Sequence, residues 1–127
     1  MGGEGVTLLP FLYSLICANK GIVQDWEQRI ILIDISMKQL QRTFRVLGNA
    51  RRFAIIALLI RRPELSVSTI ARAIELSITA TSRHLNALAN VDLLDRRQES
   101  LTVYYRITDS LTPYTKSIID LVRRAAA

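Results

Sequence analysis

Two short helical patterns joined by a tight connection constrain this chain more than any other feature. The first, ELSVSTIARAIEL, sets Val67, Ile70, Ala71 and Ile74 on one stripe, with Ser66 or Ser68 as candidate caps. The second, LSITATSRHLNAL, runs from Leu76 to Leu88. In it Ser77 can satisfy a free backbone N–H at the helix start, and Thr81, Leu85 and Leu88 recur at helical spacing. Glu75, Leu76 and Ser77 leave room only for a turn, and the small Ala71 and Ala73 allow close approach, which is the arrangement of a helix-turn-helix. The second helix turns its stripe to a core. Its opposite face carries Ile78, Thr79, Ser82, Arg83 and Asn86, mostly short polar groups with one long cation. Such a set suits base edges and phosphates in a DNA major groove, where an ordinary surface helix would carry Glu and Lys.

The charge distribution agrees. The 127 residues support one domain with an apolar fraction of 50%, enough for a core, and the net charge of +6 points to a polyanionic partner. Residues 1–36 carry −2 and residues 37–127 carry +8, so the positive charge belongs to the segment with the helix-turn-helix. A single cysteine, Cys17, excludes an intramolecular disulfide, fits a reducing cytosol and reads as an inert thiol. The apolar run Leu8 to Ala18 is too short to span a bilayer, is broken by Pro10 and follows an acidic start, so it is a poor signal peptide and no membrane attachment is expected. A second run, Ile30 to Ile35, is β-branched and fits a short strand or part of a helix equally. Residues 1–36 therefore read as an N-terminal extension and 37–127 as the domain that carries the helix-turn-helix and binds DNA. Met1 and Met37 are both candidate natural starts, because every recognisable element follows Met37.

From Met37 a helix is predicted with Met37, Leu40, Phe44 and Leu47 on one face, stopped at Gly48-Asn49 by residues that tolerate positive φ. A second helix, Arg51 to Ile60, is apolar almost all round, as a central helix would be, and Arg61, Arg62 and Pro63 end it. After Asn90 the period changes. Leu93 and Leu94 lead through Asp95, Arg96 and Arg97 to a polar tip of Gln98, Glu99 and Ser100, and the β-branched and aromatic run Leu101 to Ile107 returns. This is a basic hairpin beside the recognition helix, and Arg96, Arg97 and Gln98 are its candidate phosphate contacts. Tyr104 and Tyr105 are expected to pack on the core. A last helix places Leu111, Tyr114, Ile118 and Leu121 or Val122 on one side, with Ser110 or Thr112 as cap, Pro113 in the first turn, and Arg123 and Arg124 near its C-terminus. The fold class is mainly α with a small β-hairpin, in the order helix-helix-helix-helix-β-β-helix.

That order, with the residues filling it, resembles the ArsR-type winged helix-turn-helix repressors. The resemblance covers about Met37 to Val122. It rests on FRVLGNARRFAIIALL, ELSVSTIARAIELS, TSRHLNAL and LLDRRQESLTVYYRI in the family's order. It implies a homodimer on an imperfect palindrome of double-stranded DNA, with Leu40, Phe44, Leu47, Leu111, Tyr114, Ile118, Leu121 and Val122 in the subunit interface. The DNA-contacting set is then Ser77, Ile78, Thr79, Ser82, Arg83, His84, Asn86, Arg96, Arg97 and Gln98. His84, one position off the reading face, touches a phosphate or packs with the wing.

The departures are informative. The family's Cys-x-Cys metal site aligns with Ser66-Val67-Ser68, and the last helix offers Asp120 without an imidazole, so no metal sensing through either site is expected and no cofactor is implied. Asp92 and Ser100 replace common glycines, and Ile78 stands where a polar reader is usual. No phosphate loop, carboxylate pair or nucleophile motif suggests an enzyme. The expected function is a cytoplasmic transcriptional repressor. The alternatives are a winged-helix module that binds protein instead of operator DNA, and a regulator tethered to a membrane.

Overall fold

Four short polar side chains decide where the helices begin. Asn49 accepts from the backbone N–H groups of Arg51 and Arg52, Ser66 from Thr69, Ser77 from Ala80, and Thr112 from Thr115. The computed structural model describes the backbone of residues 20–127 and the side chains from Trp26 onward. In chain order the elements are α1 (Lys20–Leu47), α2 (Ala50–Arg61), β1 (Leu65–Ser66), α3 (Val67–Ala73), α4 (Ile78–Ala89), β2 (Leu94–Glu99), β3 (Thr102–Ile107) and α5 (Pro113–Ala125). The chain divides into two compact units, Met1–Lys38 and Gln39–Ala127.

In the first unit the run Ile30 to Ile35 is helix, not strand, and α1 passes through Met37 without a break. The predicted helix start at Met37 is thus corrected: no cap or breaker stands there, and Asp34 pairs with Lys38 at 2.7 Å one turn on. The run Leu8 to Ala18, with Cys17, lies outside the described residues. Among those described, no helix is long and apolar enough to cross a membrane.

The second unit is built on α2. Ile55, Ile56 and Leu59 are buried in it, and they meet Ile70 of α3, Leu85 and Leu88 of α4, Leu93, and Ile119 of α5, most of them with no exposed surface. Each such aliphatic side chain contributes about 1.5–3 kcal/mol by burial. Helix α2 is less enclosed than its composition suggests, since Phe53 keeps 43% of its surface exposed. Residues Leu65 and Ser66 add a strand that the sequence did not announce. They pair with Tyr105 and Tyr104, making a three-stranded antiparallel sheet in the order β1-β3-β2. Gln98 and Glu99 are paired strand residues opposite Val103 and Thr102, so the hairpin tip is Ser100-Leu101 and not the polar triplet expected.

The connections share a strained device. Helix α3 ends with Leu76 N–H bonded to Ala71 O and Glu75 N–H to Arg72 O; α4 ends with Leu93 N–H bonded to Leu88 O and Asp92 N–H to Ala89 O. These are Schellman closures, which need a left-handed residue just past the helix. Here it is Glu75, at φ 56°, and Asp92, at φ 57°. Ser100, at φ 55°, does the same at the hairpin tip. The two glycines missing by resemblance, at positions 92 and 100, are therefore both missing from left-handed sites. Gly48 and Asn49 do not end α1 by positive φ; no described glycine adopts it, and Asn49 sits at φ −100° as the cap of α2.

A left-handed Cβ costs about 1–2 kcal/mol, partly offset by the greater unfolded freedom of glycine. Glu75→Gly is expected to raise the stability of the chain by about 0.5–1 kcal/mol in urea denaturation, with Glu75→Ala gaining less than half as much. A loss of stability in Glu75→Gly would contradict the strained closure.

Candidate nucleic-acid interface

Burial orients α4. Thr81, Leu85 and Leu88 have no exposed surface, which fixes the rotation of the helix and leaves the opposite face to solvent. On it Thr79, Arg83 and Asn86 are exposed, Ser82 and His84 are half-buried, and Ile78 keeps 59% of its surface. Ser77, at the helix start, uses its hydroxyl oxygen as the cap, 3.1 Å from Ala80 N. Arg83 has no partner among the described side chains, so its guanidinium is available to a ligand.

The hairpin is joined to this helix by one buried side chain. Tyr105 is 3% exposed, and its hydroxyl donates to Asn86 Oδ1 at 3.2 Å. Asn86 therefore helps hold the wing, with its amide N–H groups left to offer. Directly opposite Tyr105 stands Arg96, and opposite Val103 stands Gln98. Side chains alternate along a strand, so Arg96 and Gln98 share the face that Tyr105 turns to α4. Gln98 also closes the tip, donating to Ser100 O at 3.3 Å.

Arg97 lies on the other face, apart from Arg96 and Gln98, with which the sequence reading grouped it. Its guanidinium donates to both carboxylate oxygens of Glu64 and reaches Glu99 at 2.8 Å. The same group sits 4.8 Å from the ring centre of Tyr104, its cross-strand partner. A phosphate would have to displace two carboxylates to reach it. The residue the sequence reading missed is Glu64, because only the pairing of β1 with β3 brings it to the wing. The alternation of β2 could have separated Arg96 from Arg97. Glu64 feels the clamp: the hydrogen bond from Arg97 holds its carboxyl below the ordinary 4.5.

Other cations are also engaged internally. Arg51 donates to Ile74 O and Arg61 to Ala126 O, while Arg106 pairs with Asp95 and Asp109, and Arg123 with Asp120. Of the interface residues implied by resemblance, Leu47 and Val122 are buried inside the chain's own core. Phe44 and Leu121 stay 56% and 60% exposed, and Leu40, Leu111, Tyr114 and Ile118 are half-buried. Tyr114 donates to Gln39 Oε1 at 3.0 Å. Where thiolates would hold a metal, Ser66 is the cap of α3 and its hydroxyl lies 3.1 Å from that of Ser68 and 2.8 Å from that of Thr69. A capping hydroxyl in such a network is a poor ligand for a soft ion.

Residues 47–97 match the helix-turn-helix domain family. The transcriptional activator HlyU of Vibrio cholerae is 34% identical over 80 residues, covering 63% of this chain and 70% of the relative. Its solved structure superposes with a TM-score of 0.62, covering 71% of this chain and 94% of that one. The cadmium resistance transcriptional regulatory protein CadC of Listeria innocua is 36% identical over 64 residues, half of this chain. The match spans about half of that relative, 54%. A homodimeric winged helix-turn-helix DNA-binding domain from Mycobacterium bovis, described as a possible ArsR-family transcriptional regulator, has a TM-score of 0.62 at 31% identity. It aligns over 73% of this chain and 82% of its own length.

The clamp has a signed pH dependence. Because the folded Glu64 carboxyl titrates below its ordinary value of 4.5, the stability it contributes is present above that pH and is lost as pH falls through the lowered value. Glu64→Gln is expected to lower the denaturation midpoint slightly at pH 7 and to differ less from the parent at pH 3. An equal difference at both pH values would mean that the charge of Glu64 does not hold the wing.

Proposed function

The chain belongs to the ArsR-type winged helix-turn-helix family, and from that premise we propose that it is a sequence-specific DNA-binding repressor. In this reading it acts in the cytoplasm as a homodimer on an imperfect palindrome. The observation that carries the reading is the uncovered face of α4, with Arg83 unpaired among the described side chains and Arg96 opposite Tyr105, on the face of the wing that Tyr105 turns to that helix. Arg83 and Arg96 supply phosphate or guanine contacts, Thr79 and Ser82 hydroxyl contacts, and Ile78 an apolar contact for a thymine methyl. Ser77 and His84 flank the backbone, Asn86 offers its amide, and Gln98 extends the wing. Dimerisation uses the exposed Phe44 and Leu121 with the half-buried Leu40, Leu111, Tyr114 and Ile118. The serines at positions 66 and 68 support a response that does not pass through a thiolate metal site.

A second reading, a winged helix that binds protein, draws on Ile78, whose exposure places an apolar group where a reader of bases is usual. Both readings are tested by fluorescence anisotropy with the DNA upstream of the protein's own gene and a scrambled duplex, with and without zinc. Binding to any duplex falls with salt, so only the difference between the two reports specificity. The expected outcome is a preference for the upstream duplex that zinc does not alter and that Arg83→Ala weakens by about 1–3 kcal/mol. Arg96→Ala is expected to lower the salt slope by about 1, and Arg97→Ala to leave it unchanged. Equal or absent binding to both duplexes contradicts recognition of that site, and release by zinc contradicts metal independence.

A further inference from the structure

The first unit carries a feature that DNA binding does not use. Along α1, Trp26, Ile30, Ile33 and Met37 follow one another at intervals of 4, 3 and 4 residues. They are 45%, 44%, 61% and 60% exposed. The same alternation runs on in sequence through Leu40, Phe44 and Leu47 of the same helix. Intervals of four and three are the heptad spacing, in which an apolar seam keeps facing one partner helix. We propose that residues 26–37 pair with the same segment of a second copy of this chain as a short parallel coiled coil, a surface that rests on the homodimer reading above and extends it.

Charge selects the partner and the direction. With Ile30 and Met37 at a and Trp26 and Ile33 at d, Glu27 and Asp34 fall at e, and Arg29 and Ser36 at g. A parallel pair brings each g residue to the following e residue of the other helix, so Arg29 comes beside Asp34 of the second copy twice over, sharing that exposed carboxylate with Lys38 of its own helix. An antiparallel pair brings e against e, setting Glu27 against Asp34 of the second copy. Opposite charges therefore favour the parallel arrangement and like charges oppose the other. The helix is also apolar at Ile31, Leu32 and Ile35, which are 58%, 63% and 47% exposed. That flank does not continue: Gln28 precedes it, and Gln39 and Arg42 follow. Only the seam runs with a constant period. A segment of this length spans about 18 Å and is too short to pair strongly alone. Attached to a dimeric domain it would meet its counterpart at an effective concentration of the order of millimolar.

The test uses the full chain with Cys17→Ser. Ile33→Cys, on the seam, and Leu32→Cys, equally exposed beside it, are oxidised and compared by non-reducing electrophoresis, with sedimentation equilibrium of the parent chain. A parallel in-register pair places residue 33 against itself, so Ile33→Cys should link most of the chain into a disulfide dimer and Leu32→Cys should not. In sedimentation, Ile30→Glu with Ile33→Glu should weaken the dimer at least tenfold, and Ile31→Glu with Leu32→Glu should leave it within about twofold. A parent dimer in which Ile33→Cys fails to link, or links no better than Leu32→Cys, overturns the coiled coil and leaves the homodimer reading standing. A monomeric parent overturns both.

Discussion

The rest of the second unit depends on the seating of one helix. Thr81, Leu85 and Leu88 of α4 are wholly buried against α2, α3 and the base of the hairpin, so α4 cannot rotate without exposing aliphatic surface or burying Arg83. A reading surface needs this constraint more than it needs any single cation. Base contacts are useful only when the side chains that make them are held in register with the groove, and here hydrophobic burial supplies the register. Tyr105 extends the constraint to the hairpin through its bond to Asn86, so helix and wing share one rigid floor.

The closures around that floor work against it slightly. Two Schellman turns and the hairpin tip all place non-glycine residues in the left-handed region. Each keeps its helix or strand end hydrogen-bonded, and Leu93, the residue after Asp92, is fully buried. At Asp92 the strain is tolerated because the apolar residue that follows is anchored in the core, whereas Leu76 after Glu75 is half-buried and Leu101 after Ser100 is 97% exposed, so there the closing hydrogen bonds alone offset it.

Much of this was legible in the amino-acid sequence, and the reasons differ from element to element. Asn49 escaped as a cap because it also reads as a helix stop, whereas Ser77 was plain because an apolar stripe at helical spacing follows it. The buried sets of α3 and α4 were legible because a period of 3.6 on a short helix has one solution. The split between Arg96 and Arg97 was available in principle from the alternation of β2, but adjacent arginines read as one basic patch until the strand is paired. Strand β1 and the reach of Glu64 to Arg97 were not legible, since two residues carry no period and the contact spans 33 positions. The extension of α1 back to Lys20 was obscured by β-branched residues at 30, 31, 33 and 35, which suit strand and buried helix alike.

The central claim is that one face of α4, together with the Arg96 side of the wing, is what DNA meets. The most direct measurement is the backbone amide NMR spectrum of the full chain during titration with its upstream duplex. The expected result is that shifts concentrate at residues 77–84 and at Arg96 and Gln98, and leave Glu64, Arg97 and Tyr104 little changed. Shifts concentrated on the Arg97 face, or along α5 with α4 unmoved, would contradict it.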